Sequence, residues 1–444
     1  MAREKTTHIG SANKTVYDEL EIVRTELDKC MKCGNCMAVC PVYISDKVES
    51  GVTRGKISVA EALLDGDLAF DDPKVYEMLF NCLVCKSCMQ NCPTKVNFDK
   101  IILALRAEMV RSNGLPWLKK MIFASIRHPK LFDAGMKIGA ALQGLAFRDQ
   151  TTQKAIAPRS VLTFVGESAG FDAERRLPGL TVTPLRDRLP AVVTVANPRG
   201  KVVFFTGDSL NYFYPEAGID LIDVLKENDI EVHIPKDQTC CGIPVFVHGD
   251  VETMRTLARN NIEVIEQSGA DHVVTGCGSC GGAWTHEYRE VLADDPVYGP
   301  KADYWAEHTY DISTYLTKVI DYRKPTGRID ATVTYHDPCH LKKTMKVFKE
   351  PREILTSIPG VTFAEMFQPD ACCGGGGSYV LSHYETSTSI GRRKADDISK
   401  TGANIVSTGC PACMMQLLDT MHRFGKGQET THYISLLAES YRRE

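Results

Sequence analysis

The chain carries two kinds of hydrophobic pattern. Up to about residue 148 the apolar positions recur at helical spacing, and from 201 onward short β-branched runs alternate with helical segments. Residues 14–29 (KTVYDELEIVRTELDK) read as an amphipathic helix with mixed charges on its wet face. Two cysteine clusters follow, at 30–40 and 82–92. A helical stretch around 57–80 lies between them and predicts one small α-rich unit, and residues 97–113 again show helical spacing. The stretch 115–148 is apolar with scattered basic residues. It predicts a pair of core helices broken near Pro129; the alternative is a face that docks a partner or a membrane surface. Residues 149–200, with Pro158, Pro178, Pro184, Pro190 and Pro198, read as a linker.

From 201 the sequence repeats itself. KVVFFTGD at 201–208 matches ATVTYHDP at 331–338, and Cys240-Cys241-Gly242 matches Cys372-Cys373-Gly374. ADHVVTGCGSC at 270–280 matches ANIVSTGCPAC at 403–413, and HTYDIST at 308–314 echoes HYISLL at 432–437. The offset between corresponding cysteines is 132 for Cys240 and 133 for Cys277. So constant an offset indicates duplication. Each copy alternates strands with helices, which predicts two related α/β lobes facing each other. The expected domains are a helical unit over 1–114, a helical connector and linker over 115–200, a first repeat over 201–325 and a second over 326–444.

Composition changes this picture in one respect. Apolar and charged fractions of 43% and 24% and a net charge of −4 are ordinary, and they point away from nucleic acid. The 17 cysteines are not ordinary. The opening MAREKTTHIG has no apolar core of signal-peptide length, and no apolar run reaches membrane-spanning length. A cytoplasmic chain is expected, with a peripheral place at the inner face of the membrane as the variant. In that compartment thiols stay reduced, so the cysteines read as ligands rather than disulfides.

The first eight make two copies of one motif: Cys30-x2-Cys33-x2-Cys36-x3-Cys40-Pro41 and Cys82-x2-Cys85-x2-Cys88-x3-Cys92-Pro93. This is the bacterial two-cluster ferredoxin run, in which the fourth cysteine ligates the other cluster. The expected sets are Cys30, Cys33, Cys36 and Cys92 for one cubane [4Fe–4S] cluster, and Cys82, Cys85, Cys88 and Cys40 for the second. Two zinc sites would not need this paired order of eight.

The second repeat supplies five more cysteines: Cys339, Cys372, Cys373, Cys410 and Cys413. Adjacent thiols diverge, so five thiolates from three loops suit a larger, opened cluster better than one compact cubane. Glycines 374–377 would let backbone approach it; without a following Lys-Ser/Thr they do not make a phosphate loop. The first repeat has four, Cys240, Cys241, Cys277 and Cys280, with Asp208 at or near the place of Cys339. They would hold a further cluster or zinc, with Asp208 either a ligand or a loop residue left after ligand loss. Eight, five and four account for all 17 cysteines. His336 and His340 flank Cys339 as candidate cluster neighbours or ordinary structural histidines. Arg54 and Lys56 either neutralise cluster charge, dock a partner, or merely start a surface helix.

The second-repeat pattern resembles the cysteine-rich CCG domain of heterodisulfide reductases, and the whole chain resembles the iron–sulfur subunits of glycolate oxidase and D-lactate dehydrogenase complexes. The motifs that carry this are the ferredoxin pair, Arg54-Gly55-Lys56, CCG at 240–242, YHDPCHL at 335–341 and CCGGGG at 372–377. The resemblance implies a noncubane [4Fe–4S] cluster on the five second-repeat cysteines. It also implies an FAD-containing flavoprotein partner that oxidises a 2-hydroxy acid, and a quinone or cytochrome b acceptor at the membrane. No GxGxxG follows a strand, so a flavin or nicotinamide is expected on the partner. The intact Cys410-Pro-Ala-Cys413 is closer to the D-type component of heterodisulfide reductases, which leaves disulfide reduction at the noncubane cluster as the alternative. A plain electron carrier with a structural zinc domain is the third reading.

Overall fold

Residues 20–149, 155–159, 174–377 and 379–444 are described by the computed structural model. Of the helix expected over 14–29, residues 14–19 lie outside the described residues, and Leu20–Leu27 is helical. Thr53–Asp65 and Pro73–Phe80 form the stretch between the cysteine clusters. Gly66, in left-handed backbone, stops the first of these, and the Asp72 side chain caps the second by accepting from the Lys74 N–H. Phe98–Asn113 crosses behind both and buries Ile101, Ile102 and Leu105 completely. Truncating any of the three to Ala should cost ~2–5 kcal/mol.

Trp117–Ile126 and Pro129–Ala146 are the two helices broken before Pro129, but they are not a core pair. Only Phe123, Ile126 and Ala140 are buried in them. Trp117, Leu118, Met121 and Ile122 on one helix, and Leu131, Ile138, Leu142 and Leu145 on the other, are exposed. The apolar stripe is wider than the surface it packs against. No helix among the described residues is long and apolar enough to cross a membrane.

The segment read as a linker is partly structured. β1 (Phe147–Asp149), β2 (Ala155–Pro158) and β3 (Leu177–Pro178) form a small antiparallel sheet, and β4 (Val192–Val193) becomes an edge strand of the first lobe. Leu185, fully buried, seats against Gly218, where any Cβ would lie 2.3 Å from its methyl carbon. Its short runs are too brief to show a period.

The first lobe is built on β5 (Gly200–Phe205), β6 (Ile230–His233), β7 (His272–Thr275) and β8 (Thr309–Asp311), in spatial order β4-β6-β5-β7-β8. The second uses β9 (Ala331–His336), β10 (Val361–Phe363), β11 (Ile405–Thr408) and β12 (Glu429–His432), in order β10-β9-β11-β12. All these pairings are parallel except β4 with β6. The two orders are therefore the same topology, with β4 added at one edge. The lobes meet through the strand ends: Gly278 N–H donates to Gly409 O at 3.1 Å, and His432 Nε2 lies 2.9 Å from Gly276 O. The Tyr433 hydroxyl donates to Asp311 at 3.0 Å. The helical unit packs on both lobes, and its apolar core is continuous with theirs.

Candidate metal centres

In a parallel α/β sheet the strand ends and the loops after them are where ligands gather. The nine cysteines of the two repeats stand there, and the eight of the helical unit line two cavities beside them. One cavity is lined by Cys30, Cys33, Cys36 and Cys92, together with Arg54. The other is lined by Cys40, Cys82 and Cys85, together with Lys56. Cys88, Thr53 and Phe98 border both, so the two adjoin. Each thus receives the fourth cysteine of the opposite motif. The two are similar in size.

The loops are curled around these cavities. Lys32 and Gly34 in one motif, and Val84 and Lys86 at the same places in the other, all have positive φ. For a non-glycine residue that conformation costs on the order of 1–2 kcal/mol. The curl turns backbone N–H groups toward sulfur, as where Val84 N–H lies 3.5 Å from Cys82 Sγ. A backbone held this way around paired thiols fits a cubane cluster. Lys56 is no surface residue: it is buried and donates to Ser50 and Gly51 carbonyls. Burial lowers its pKa while the thiols of Cys82 and Cys40 oppose that. Arg54 lines the first cavity and pairs with Glu49.

In the second repeat, hydrogen-bonding contacts run Cys339–Cys372–Cys373–Cys413–Cys410. In the first they run Asp208–Cys240–Cys241–Cys280–Cys277. The two chains join where Cys277 Sγ lies 3.9 Å from Cys410 Sγ. Neighbouring thiols push the members of each pair apart: Cys241, Cys373 and Cys410 have lowered pKa values, and Cys240, Cys372 and Cys413 raised ones. Gly242 and Gly374 make the adjacent-thiol turns possible. Both have φ near +90°, and a Cβ would lie 2.2 Å from Met254 Sδ at the first and 2.5 Å from Ser387 O at the second. Gly376 brings the same loop onto Leu83 of the ferredoxin-type unit, where a Cβ would lie 2.8 Å from the Leu83 side chain.

His336, fully buried, holds Nδ1 3.1 Å from Pro369 O, and its ring, Cys373 and Cys413 place ligating atoms within 4.8 Å of one another. His340 is half-buried; burial lowers its pKa, against the pull of Glu287. Asp208 is half-buried and its carboxyl is pushed up to about 6 by desolvation, against a hydrogen bond from Cys240.

One contact and two lysines escaped sequence reasoning. Cys85 contacts Cys372, which joins the second cavity to the second repeat. Lys343 lies at that joint, donating to Ser87 Oγ at 2.5 Å and to Asp370 O at 3.3 Å. Burial opposes its charge, but Cys339, Cys85 and Cys372 outweigh this and its pKa is raised. Beside it Lys86 makes a buried ion triad, 3.2 Å from both Asp99 and Glu287. In sequence these lysines look like any surface lysine; only the cysteine on either side of Lys86 hinted at a role.

Family comparison agrees with this construction. A 4Fe-4S dicluster domain model matches residues 26–96, and a cysteine-rich domain model matches residues 202–284 and 333–418. The probable glycolate oxidase iron-sulfur subunit of Bacillus subtilis is 29% identical over 94% of this chain and 94% of its own length. Lactate utilization protein A of Halalkalibacterium halodurans is 30% identical, matching 53% of this chain and 96% of its own length. A component of the dihydromethanophenazine:CoB–CoM heterodisulfide reductase of Methanosarcina acetivorans is 26% identical over 98% of both chains. With a dicluster unit, two cysteine-rich domains and these relatives, the chain belongs to the CCG-domain family of oxidoreductase iron–sulfur subunits.

Proposed function

We propose that this chain passes electrons between a flavoprotein that oxidises a 2-hydroxy acid, of the glycolate or lactate type, and a quinone or membrane acceptor. Cys30, Cys33, Cys36 and Cys92 would hold one cubane cluster, and Cys82, Cys85, Cys88 and Cys40 the other. Cys339, Cys372, Cys373, Cys410 and Cys413 would hold the noncubane cluster, and the first repeat a further metal group. Such clusters supply one-electron storage at potentials set by neighbouring charge and hydrogen bonds.

The observation that carries this reading is the unbroken succession of thiols. It runs from the cavity with exposed Cys33, through the adjoining second cavity, across Cys85–Cys372 into the second repeat and over Cys277–Cys410 into the first. A single storage site needs no such row, whereas relay between distant partners does. Lys56 and Lys343 place buried positive charge along it and Arg54 lies at its outer end, which favours the reduced, more negative form of each site. A hydroxy acid gives up two electrons together, so the flavin belongs to a partner. The exposed apolar face of 117–146, with its basic residues, is the preferred docking region, and the chain would sit in the cytoplasm at the inner face of the membrane. The division at 114, 200 and 325 would separate the relay into its units, with β4 (Val192–Val193) and Gly200 reaching across the second boundary into the sheet of the first repeat.

Affinity purification from the native cell should recover an FAD-containing protein. A flavin-free single chain that oxidised glycolate or lactate with an artificial acceptor would overturn the proposal.

A second reading draws on the intact Cys410–Cys413 pair and on the two repeat sites facing each other at 3.9 Å. In it the chain itself reduces a disulfide, as the name of the Methanosarcina relative describes for its own complex. Disulfide reduction by the isolated chain with a dye donor would favour this reading over the first.

A further inference from the structure

The first repeat looks deficient by one cysteine, yet its site is built like the second. Register fixes the comparison. β5 pairs with β7 so that Val202 faces His272 and Phe205 faces Thr275. β9 pairs with β11 so that Val333 faces Ile405 and His336 faces Thr408. Since the β7 and β11 segments correspond position by position up to Cys277 and Cys410, Val202 corresponds to Val333 and Phe205 to His336. Three residues further on, Asp208 falls on Cys339.

The contacts agree independently. Asp208 meets Cys240 as Cys339 meets Cys372, and the remaining three thiols follow in the same order in both repeats. Gly242 N–H lies 3.4 Å from Cys240 Sγ, and Gly374 N–H lies 3.5 Å from Cys372 Sγ. Gly207, with φ +57, is the device that brings Asp208 in: a Cβ there would lie 2.7 Å from Cys280 Sγ, so the turn holds only because that atom is missing.

The geometry points to Asp208 as the fifth ligand of a first-repeat iron–sulfur cluster, donating a carboxylate oxygen to the iron whose counterpart in the second repeat takes Cys339. This rests on the reading that the first repeat binds a metal group at all. Four thiols and a carboxylate make five donors, one more than a tetrahedral structural zinc accepts. A hard oxygen among soft thiolates binds its iron less tightly and leaves that iron the exchangeable one of the set. The first repeat would then be the place where an external thiol or other sulfur ligand can enter, while the second stays closed by five sulfurs.

The test uses the full chain, reconstituted anaerobically and read by iron, sulfide and zinc analysis with Mössbauer and electron–nuclear double resonance spectra. The wild type should show one oxygen-ligated iron, and thiol addition should perturb that iron alone. Asp208→Cys should turn its signature into an all-sulfur one like that of the second repeat. Asp208→Ala should speed loss of that iron to a chelator by roughly tenfold or more. If Asp208→Ala prevents folding, Asp208→Cys still decides, because it copies a donor the second repeat already accommodates. A Cys240→Ser/Cys241→Ser double variant separates the failures. If it removes a cluster that both Asp208 variants leave unaltered, Asp208 is not a ligand. If its metal content equals the wild type's, the first repeat binds nothing and the underlying reading falls. Zinc without sulfide in that repeat would overturn the iron–sulfur assignment.

Discussion

The two repeats share topology, register and the order of their thiols, and they differ in what surrounds those thiols. The second has Cys339 and a buried His336 where the first has Asp208 and Phe205. The thiols of the second meet those of the ferredoxin-type unit at Cys85–Cys372, beside Lys343, whereas the first packs on that unit through other groups, Glu287 with Lys86 and the Val247 carbonyl with Arg106, and its thiols join the row at Cys277–Cys410. Duplication therefore produced two equal scaffolds that differ in a few residues and in docking position, and in the proposed relay those differences would make the second the inner station and the first the far end of the row.

The harshest way to break this asymmetry is Cys339→Ser. It should abolish the spectroscopic signal of the second-repeat cluster while leaving both cubane signals. Loss of that same signal on replacing Cys240, with survival after Cys339→Ser, would exchange the roles of the repeats.

Next comes the contact that seats the ferredoxin-type unit on the first repeat, through Glu287. Lys86→Met leaves Asp99 and Glu287 buried without their cation, which should cost ~3–5 kcal/mol in denaturant unfolding. A change within error would mean that the triad does not hold the unit to the lobes.

Lys343→Met should act more finely. Removing a positive charge close to Cys85, Cys339 and Cys372 disfavours the reduced form, so the potentials of both sites sharing that joint should become more negative. The shift is on the order of tenfold in the electron-binding constant, ~59 mV. The outer cubane, on the far side of Cys88, should shift least, and equal shifts at every site would argue against the joint.

The smallest effect is a pH difference between the two ferredoxin-type sites. Burial pushes the Cys40 thiol up to about 12, whereas at Cys92 hydrogen bonds from Thr94 and neighbouring N–H groups outweigh desolvation and lower the pKa. Thiols must lose their protons to bind iron. Attachment of the Cys40 sulfur should therefore improve more steeply as pH rises than attachment of the Cys92 sulfur. Stopped-flow reconstitution of single-site variants across pH would show it, and identical profiles would contradict it.

Much of this was legible in the sequence because spacing is itself geometry. The x2-x2-x3 runs fix which thiols lie on one loop, and the near-constant offset between repeats fixes a shared fold. What stayed hidden is long-range. Nothing around Cys85 says that it meets Cys372, 287 residues away. Lys343 carries no mark separating it from solvated lysines, and Lys86 has only its place between Cys85 and Cys88. The stretch 115–148 misled because a helix with apolar residues on most sides reads as core, and only the packing shows how little of it is covered. Val192–Val193 and Leu177–Pro178 are strands of two residues, too short for any period to register.

The central claim, that the second repeat is the relay next to the cubane sites, is tested most directly by electron paramagnetic resonance of the intact chain during a redox titration. Contact at Cys85–Cys372 predicts that reducing the cubane held by Cys40, Cys82, Cys85 and Cys88 broadens and speeds relaxation of the second-repeat signal, and that Cys339→Ser removes the effect. A second-repeat signal that is magnetically isolated at every potential would contradict the account.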